Sequence, residues 1–172
     1  ERIIAGQGTA ALELLAEVPG LDVITTPVGG GGLIGGTALA ARALSPGIRV
    51  IGTEPEQADD AYRSFRGGSR CAVDAPRTIA DGLRGSIGAR NYELLRRYVD
   101  DVVTVSEAQI VDAMRTALHD LKLLIEPSSA VPVAAALAGA LGAKGDAIGI
   151  VLSGGNVDLE LCPFLRGSTP PM

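Results

Sequence analysis

Four consecutive glycines, Gly29, Gly30, Gly31 and Gly32, close an apolar, β-branched run at 21–28 and open a small-residue segment at 33–43 with helical character. Glycine lets the backbone approach a ligand closely. Several N–H groups can then point at one anion, and the dipole of the following helix adds to the attraction. That chemistry is phosphate binding; the plainer alternative is a turn that only packs the helix. A sharper rival also fits these residues. Gly30, Gly32 and Gly35 satisfy G-x-G-x-x-G, and Glu54 follows about 20 residues later at the end of the next strand, the outline of a dinucleotide-binding fingerprint. Two features count against it. Residues 54–60 (E-P-E-Q-A-D-D) carry more acids than a single ribose contact needs, and a second turn, Ser153-Gly154-Gly155-Asn156, is left without a role.

Residues 54–60 place four carboxylates within seven residues. Carboxylates and carbonyls at short spacing suit a hard divalent cation. A solvated helix start, its acids favoured by the dipole, is the other reading. Ser153 sits at the carboxyl end of a strand, where open α/β sheets present ligand-binding groups, and its hydroxyl can give or accept a hydrogen bond without carrying charge. A simple S-G-G-N turn is the alternative. His119, the single histidine, falls near the end of a helix and reads as solvated. Cys71 and Cys162 have no companions at metal spacing and read as structural. Lysine occurs only at Lys122 and Lys144.

The elements that must position these groups alternate. A helix is expected at 10–17 with Thr9 as its N-cap, a strand at 21–28, a helix at 33–43 and a strand at 48–53, giving a βαβ unit. A short helix at 58–65, a loop at 67–76, a helix at 91–97 and a strand at 101–105 follow. Ser106, Glu107 and Gln109 resemble a capping box that opens a helix to about Leu121. An alanine-rich helix at 128–141 and a strand at 147–152 complete the pattern. It predicts an α/β fold with an open, largely parallel twisted sheet flanked by helices.

Composition narrows the function classes. The chain has 172 residues, 47% hydrophobic and 20% charged, which is a globular balance. Fifteen Lys+Arg against 20 Asp+Glu leave a net charge of −5, and aromatics are 3%, so neither a basic footprint nor a stacking platform for nucleic acid is present. No apolar run reaches the roughly 18 residues that span a bilayer, so no membrane partner is expected. Two cysteines make no disulfide framework, which points to a reducing, cytoplasmic setting.

Six motifs occur in order: G-Q-G-T at 6–9, P-V-G-G-G-G-L at 27–33, E-P-E-Q-A-D-D at 54–60, A-D-G-L at 80–83, K-L-L-I-E-P at 122–127 and L-S-G-G-N-V-D at 152–158. Together they resemble the pyridoxal-phosphate-dependent serine/threonine dehydratase family, on its serine-racemase-like side. The resemblance implies the tryptophan synthase β-subunit type of fold, with a large and a small domain and pyridoxal 5'-phosphate between them. It implies that the amides of Gly29, Gly30, Gly31, Gly32 and Leu33 cradle the phosphate. Ser153 would hydrogen-bond the pyridine nitrogen, Glu126 would lie beside the ring, and Gly82 would line the site. Glu54, the carbonyl of Ala58 and Asp60 would bind a divalent cation (Mg²⁺, Mn²⁺ or Ca²⁺), so the resemblance favours the metal reading of the acidic run. Lys122 and Asn156 would match positions that contact a nucleotide effector at a homodimer interface. The substrate would be a small β-hydroxy amino acid.

The family carries its cofactor on a lysine in an S-F-K-x-R-G motif upstream of the glycine loop, and these 172 residues contain no such motif. The resemblance therefore implies that residues 1–172 are most of the large domain. The N-terminal half of the same enzyme, including the small domain, is expected to lie outside them, and no C-terminal regulatory domain is expected. Alone, the chain is expected to be inactive. The alternatives are the dinucleotide-binding module of an oxidoreductase, or a non-catalytic partner that lacks the lysine.

Overall fold

The β-branched runs of the sequence become neighbouring strands of one parallel sheet in the computed structural model, which describes residues 1–162 and 164. The strands are β1 (Val23–Pro27), β2 (Arg49–Pro55), β3 (Asp101–Val105) and β4 (Ile148–Ile150), in the order β3-β2-β1-β4. Thr25 of β1 faces Ile51 on one side and Ile150 on the other, and Thr53 faces Val103. Every residue of β1 is buried, as a central strand covered on both faces requires.

Alternate strand residues feed two cores. Ile24, Val50 and Val102 point to the face covered by α1 (Arg2–Glu17), α2 (Gly32–Leu44) and α4 (Ala89–Tyr98). Val23, Ile51 and Val105 point to the face covered by α5 (Glu107–Thr116) and α6 (Pro127–Leu137). A short helix, α3 (Asp60–Gly67), follows β2. From β1 the chain steps outward to β2 and β3, then returns through α5 and α6 to place β4 on the far side of β1. Right-handed crossovers put helices on opposite faces when the direction of winding reverses. The reversal lies between β1 and β4, and that is where an open α/β sheet leaves a crevice beyond its carboxyl ends.

Several elements differ from expectation. Helix α1 begins at Arg2, and Thr9 is no N-cap: its hydroxyl donates to the Gly6 carbonyl at 2.7 Å within the helix. Gly6 and Gly8 look like helix breakers, yet Gly8 is buried where α1 meets α2, and a Cβ there would lie 2.9 Å from the Gly36 carbonyl oxygen. Strand β2 continues through Glu54 and Pro55. Helix α6 stops at Leu137, and β4 keeps only three residues. The capping box is present: Ser106 Oγ accepts from Gln109 N, and Gln109 Oε1 accepts from Ser106 N. Helix α5 then widens into a π turn, Ala117–Leu121, that ends at Lys122 with φ of 58°. Among the described residues no helix is long and apolar enough to cross a membrane.

Candidate functional site

The glycine run turns out of β1 at the crevice. Gly31 caps α2 with φ of 84°, a left-handed conformation that glycine adopts without strain, and a Cβ there would meet the Asn91 Cβ at 2.8 Å. The first intrahelical bond runs from Gly35 N to Gly31 O at 3.0 Å. The amides of residues 29–33 donate to no protein acceptor among the described residues, as expected for the positive end of a helix dipole. The loop is held from outside: Asn91 Nδ2 and Gly88 N both donate to the Gly30 carbonyl, at 2.5 and 3.2 Å. Gly29 presses against the loop at 80–83, where a Cβ would stand 3.1 Å from Gly82 O. Gly82 N is tied to Ser128 Oγ at 3.2 Å and Asp81 Oδ1 at 3.0 Å.

The turn after β4 supplies the other wall. Gly154 N donates to Ser129 Oγ at 2.6 Å, and Ser129 Oγ lies 3.2 Å from Ser153 Oγ. Glu126 is bound to the same turn twice: its amide donates to Gly154 O at 3.2 Å, and its Oε2 accepts from Asn156 N at 3.1 Å. A Cβ on Gly154 would approach that carboxylate to 2.9 Å.

All eight expected cofactor-binding residues line one cavity of about 190 Å³: Gly29, Gly30, Gly31, Gly32 and Leu33 with Gly82, Glu126 and Ser153. A roomier cleft of about 410 Å³ between α1 and α2 has mainly apolar lining and offers no convergent donors. Convergent donors, and not size, single out the site. The set comprises free amides, a neutral hydroxyl and a carboxylate. A planar phosphate ester with a basic ring nitrogen fits that chemistry.

The acidic segment forms a separate spot. Glu54 is fully buried, and its two carboxylate oxygens accept from Ala61 N at 3.1 Å and Tyr62 N at 2.7 Å. It therefore caps α3, which the sequence reading did not foresee. Burial, with the Asp60 charge nearby, pushes its pKa up to about 8. Asp60 is also fully buried; its Oδ2 accepts from Ile87 N at 2.8 Å, while Oδ1 is buried without a hydrogen-bond partner. Burial raises its pKa too. Two close carboxylates, one with an orphaned oxygen, suit a hard cation. Among the described residues, however, no group of three or more His, Cys, Asp or Glu side chains could hold a metal. This burial also weighs against the dinucleotide reading, since Glu54 has no face turned to a ribose. Gly35 abuts the Leu94 side chain of α4.

His119 is exposed, with Nδ1 2.6 Å from Asp120 Oδ1. Lys122 Nζ donates to His119 O at 2.5 Å. Asn91, Ser128 and Ser129 are contributors that sequence reasoning missed. Asn91 gave no local signal, being 61 positions from its partner. Ser129 was hidden in an alanine-rich helix, although the pair Ser128-Ser129 after Pro127 was the one polar interruption there.

A glycine-lined hollow of free amides at the switch point of a parallel sheet, facing a hydroxyl and a carboxylate, is an α/β arrangement suited to a phosphate ester. A family model described as pyridoxal-phosphate dependent enzyme matches residues 1–154, and the chain belongs to that family. It is 48% identical over 163 residues to the beta-hydroxyaspartate dehydratase of Paracoccus denitrificans (strain Pd 1222), covering 95% of this chain and 52% of that protein. It is also 48% identical over 163 residues to the serine racemase of Arabidopsis thaliana, covering 92% and 49%. The structure of maize serine racemase superposes with a TM-score of 0.87 at 46% identity, over 91% of this chain and 49% of that one. The chain spans about half the length of the relatives it matches.

Proposed function

We propose that the polypeptide containing these residues is a pyridoxal-phosphate-dependent lyase with isomerase side activity. It removes water from L-serine, L-threonine or 3-hydroxyaspartate, giving a 2-oxo acid and ammonia, with racemisation as a branch. The observation that supports this reading is the convergence of the eight residues that the resemblance implies on one cavity at the sheet's switch point. When bound, the cofactor supplies an electron sink for the substrate's α-carbon. The chain's own residues bind and orient it. The amides of 29–33 and the α2 dipole offset the charge of the phosphate. Ser153 meets the ring nitrogen as a neutral partner, which leaves that nitrogen unprotonated and suits β-elimination better than a carboxylate would. Glu126, fixed through Asn156 N and Gly154 O, and Gly82 border the ring.

The lysine that carries the cofactor and most substrate contacts would come from the N-terminal half. Within that reading residues 1–172 are most of the large domain, Glu54, Ala58 and Asp60 hold a divalent cation, and the enzyme is a cytoplasmic homodimer. Lys122 and Asn156 are the candidate contacts for a nucleotide effector, supported by their motifs alone. The test is to purify the full-length polypeptide with pyridoxal phosphate and measure 2-oxo acid, ammonia and D-amino acid from each substrate. Turnover of at least one of the three is expected, and none from residues 1–172 alone. Saturable binding of NAD with no turnover of any β-hydroxy amino acid would overturn the reading.

A further inference from the structure

Ser129 is fully buried in the first turn of a helix whose later residues are mostly alanine and valine, yet its hydroxyl has three neighbours in the turn after β4. Gly154 N donates to it at 2.6 Å, Gly154 O lies at 2.8 Å, and Ser153 Oγ lies at 3.2 Å. A hydroxyl has one proton and two acceptor positions. The Gly154 amide takes one acceptor position, because an amide can only donate. The single proton of Ser129 can go to Gly154 O or to Ser153 Oγ. Gly154 O does not depend on it, since Glu126 N already donates there at 3.2 Å.

If the Ser129 proton goes to Gly154 O, a hydrogen bond between the two hydroxyls requires Ser153 to donate inward, and the site then meets only its lone pairs. If it goes to Ser153, the Ser153 proton is released toward the site and the chain Gly154 N–H, Ser129 O–H, Ser153 O–H runs in one direction. Hydrogen bonds aligned this way reinforce one another. An acceptor placed before Ser153, such as an unprotonated pyridine nitrogen, selects the second arrangement. We infer that Ser129 is a positioning residue for Ser153: it fixes the Ser153 oxygen and turns its own proton so that Ser153 serves as a donor to the ring nitrogen. The inference rests on the cofactor assignment above and adds a residue that the expected site did not include.

The test is a double-mutant cycle in the full-length holoenzyme with Ser129→Ala, Ser153→Ala and both. The readouts are the pyridoxal phosphate dissociation constant and the ¹⁵N signal of the bound, ring-labelled cofactor. Ser129→Ala is expected to weaken cofactor binding by roughly 3- to 10-fold, the range of one lost net hydrogen bond. It should also move the ring-nitrogen signal toward that of Ser153→Ala. In the Ser153→Ala background it should change neither readout. Ser129→Thr, which keeps the hydroxyl, should restore the wild-type signal, and Ser129→Cys, a weak donor, should give an intermediate one even if the alanine variant fails to fold. An unmoved ring-nitrogen signal, or an equal loss of affinity in both backgrounds, would make Ser129 a packing residue and overturn the inference alone. A wild-type enzyme that does not bind pyridoxal phosphate would overturn the cofactor assignment and the inference with it.

Discussion

Glu54 and Asp60 share a dry corner at the end of β2, and burial is the main reason both carboxyls are pushed toward their neutral forms. Two N–H groups on Glu54 offset part of that cost, and the nearby Asp60 charge adds to it. The unpartnered Oδ1 of Asp60 has no such offset. A divalent cation bound there would supply the missing partner and favour both ionised forms. Because it would bind only the folded chain, it should raise stability by about 2.7 kcal/mol at a hundredfold excess over its Kd. Melting the full-length enzyme in chelator and then in Mg²⁺, Mn²⁺ or Ca²⁺ should therefore show a rise of roughly 5 °C for at least one ion. Asp60→Asn keeps an oxygen for Ile87 N but loses the charge, and its melting temperature should move by less than about 1 °C. A wild-type melting point indifferent to all three ions would remove the cation from the account.

Where α1 crosses α2, two glycines replace side chains with backbone-to-backbone contact. A Cβ on Gly36 would overlap the Ile4 carbonyl oxygen and stand 2.5 Å from Gly8 N, so Gly36→Ala has to push α1 away from the sheet. The expected cost is roughly 1–3 kcal/mol, as for other overpacked positions, read as a lower denaturant midpoint. Gly6 lies in the same helix with nothing within 4 Å of a built Cβ, so Gly6→Ala should stabilise by about 0.5–1 kcal/mol. Equal effects at the two positions would show that α1 does not pack through Gly8 and Gly36. The contrast also explains what could be read in advance. Strand β3, the capping box at Ser106 and the β1–α2–β2 unit were legible because hydrophobic period and cap chemistry are local signals. The first two turns of α1 were not, because a glycine that breaks a lone helix and a glycine that lets two helices touch look the same in sequence. Glu54 as the cap of α3 and Asn91 as the anchor of Gly30 were hidden for a different reason: partners brought together by the fold leave no mark at either position.

Across the whole molecule, the two walls of the cavity come from distant parts of the chain. Residues 29–33 follow β1, whereas residues 151–156 follow β4, which enters the sheet only by pairing with β1. Among the described residues strand β4 has three residues and one neighbour, which gives it fewer ladder bonds to hold it than β1 has. Val151 N still holds Thr25 O at 3.1 Å, and beyond it the turn depends on Ser129 and Glu126. A ligand bound to one wall would steady only that wall, whereas one bound to both would suppress opening of β4 as well. Hydrogen exchange of the full-length enzyme with and without pyridoxal phosphate separates these cases. Protection is expected to rise at 29–33 and at 151–156 together, with the slower exchange at Val151 and Gly154 amides growing as the cofactor concentration passes its Kd. Protection confined to 29–33 would mean that the phosphate is held but Ser153 is not engaged, and the reading of the β4 turn as the ring's partner would have to be given up.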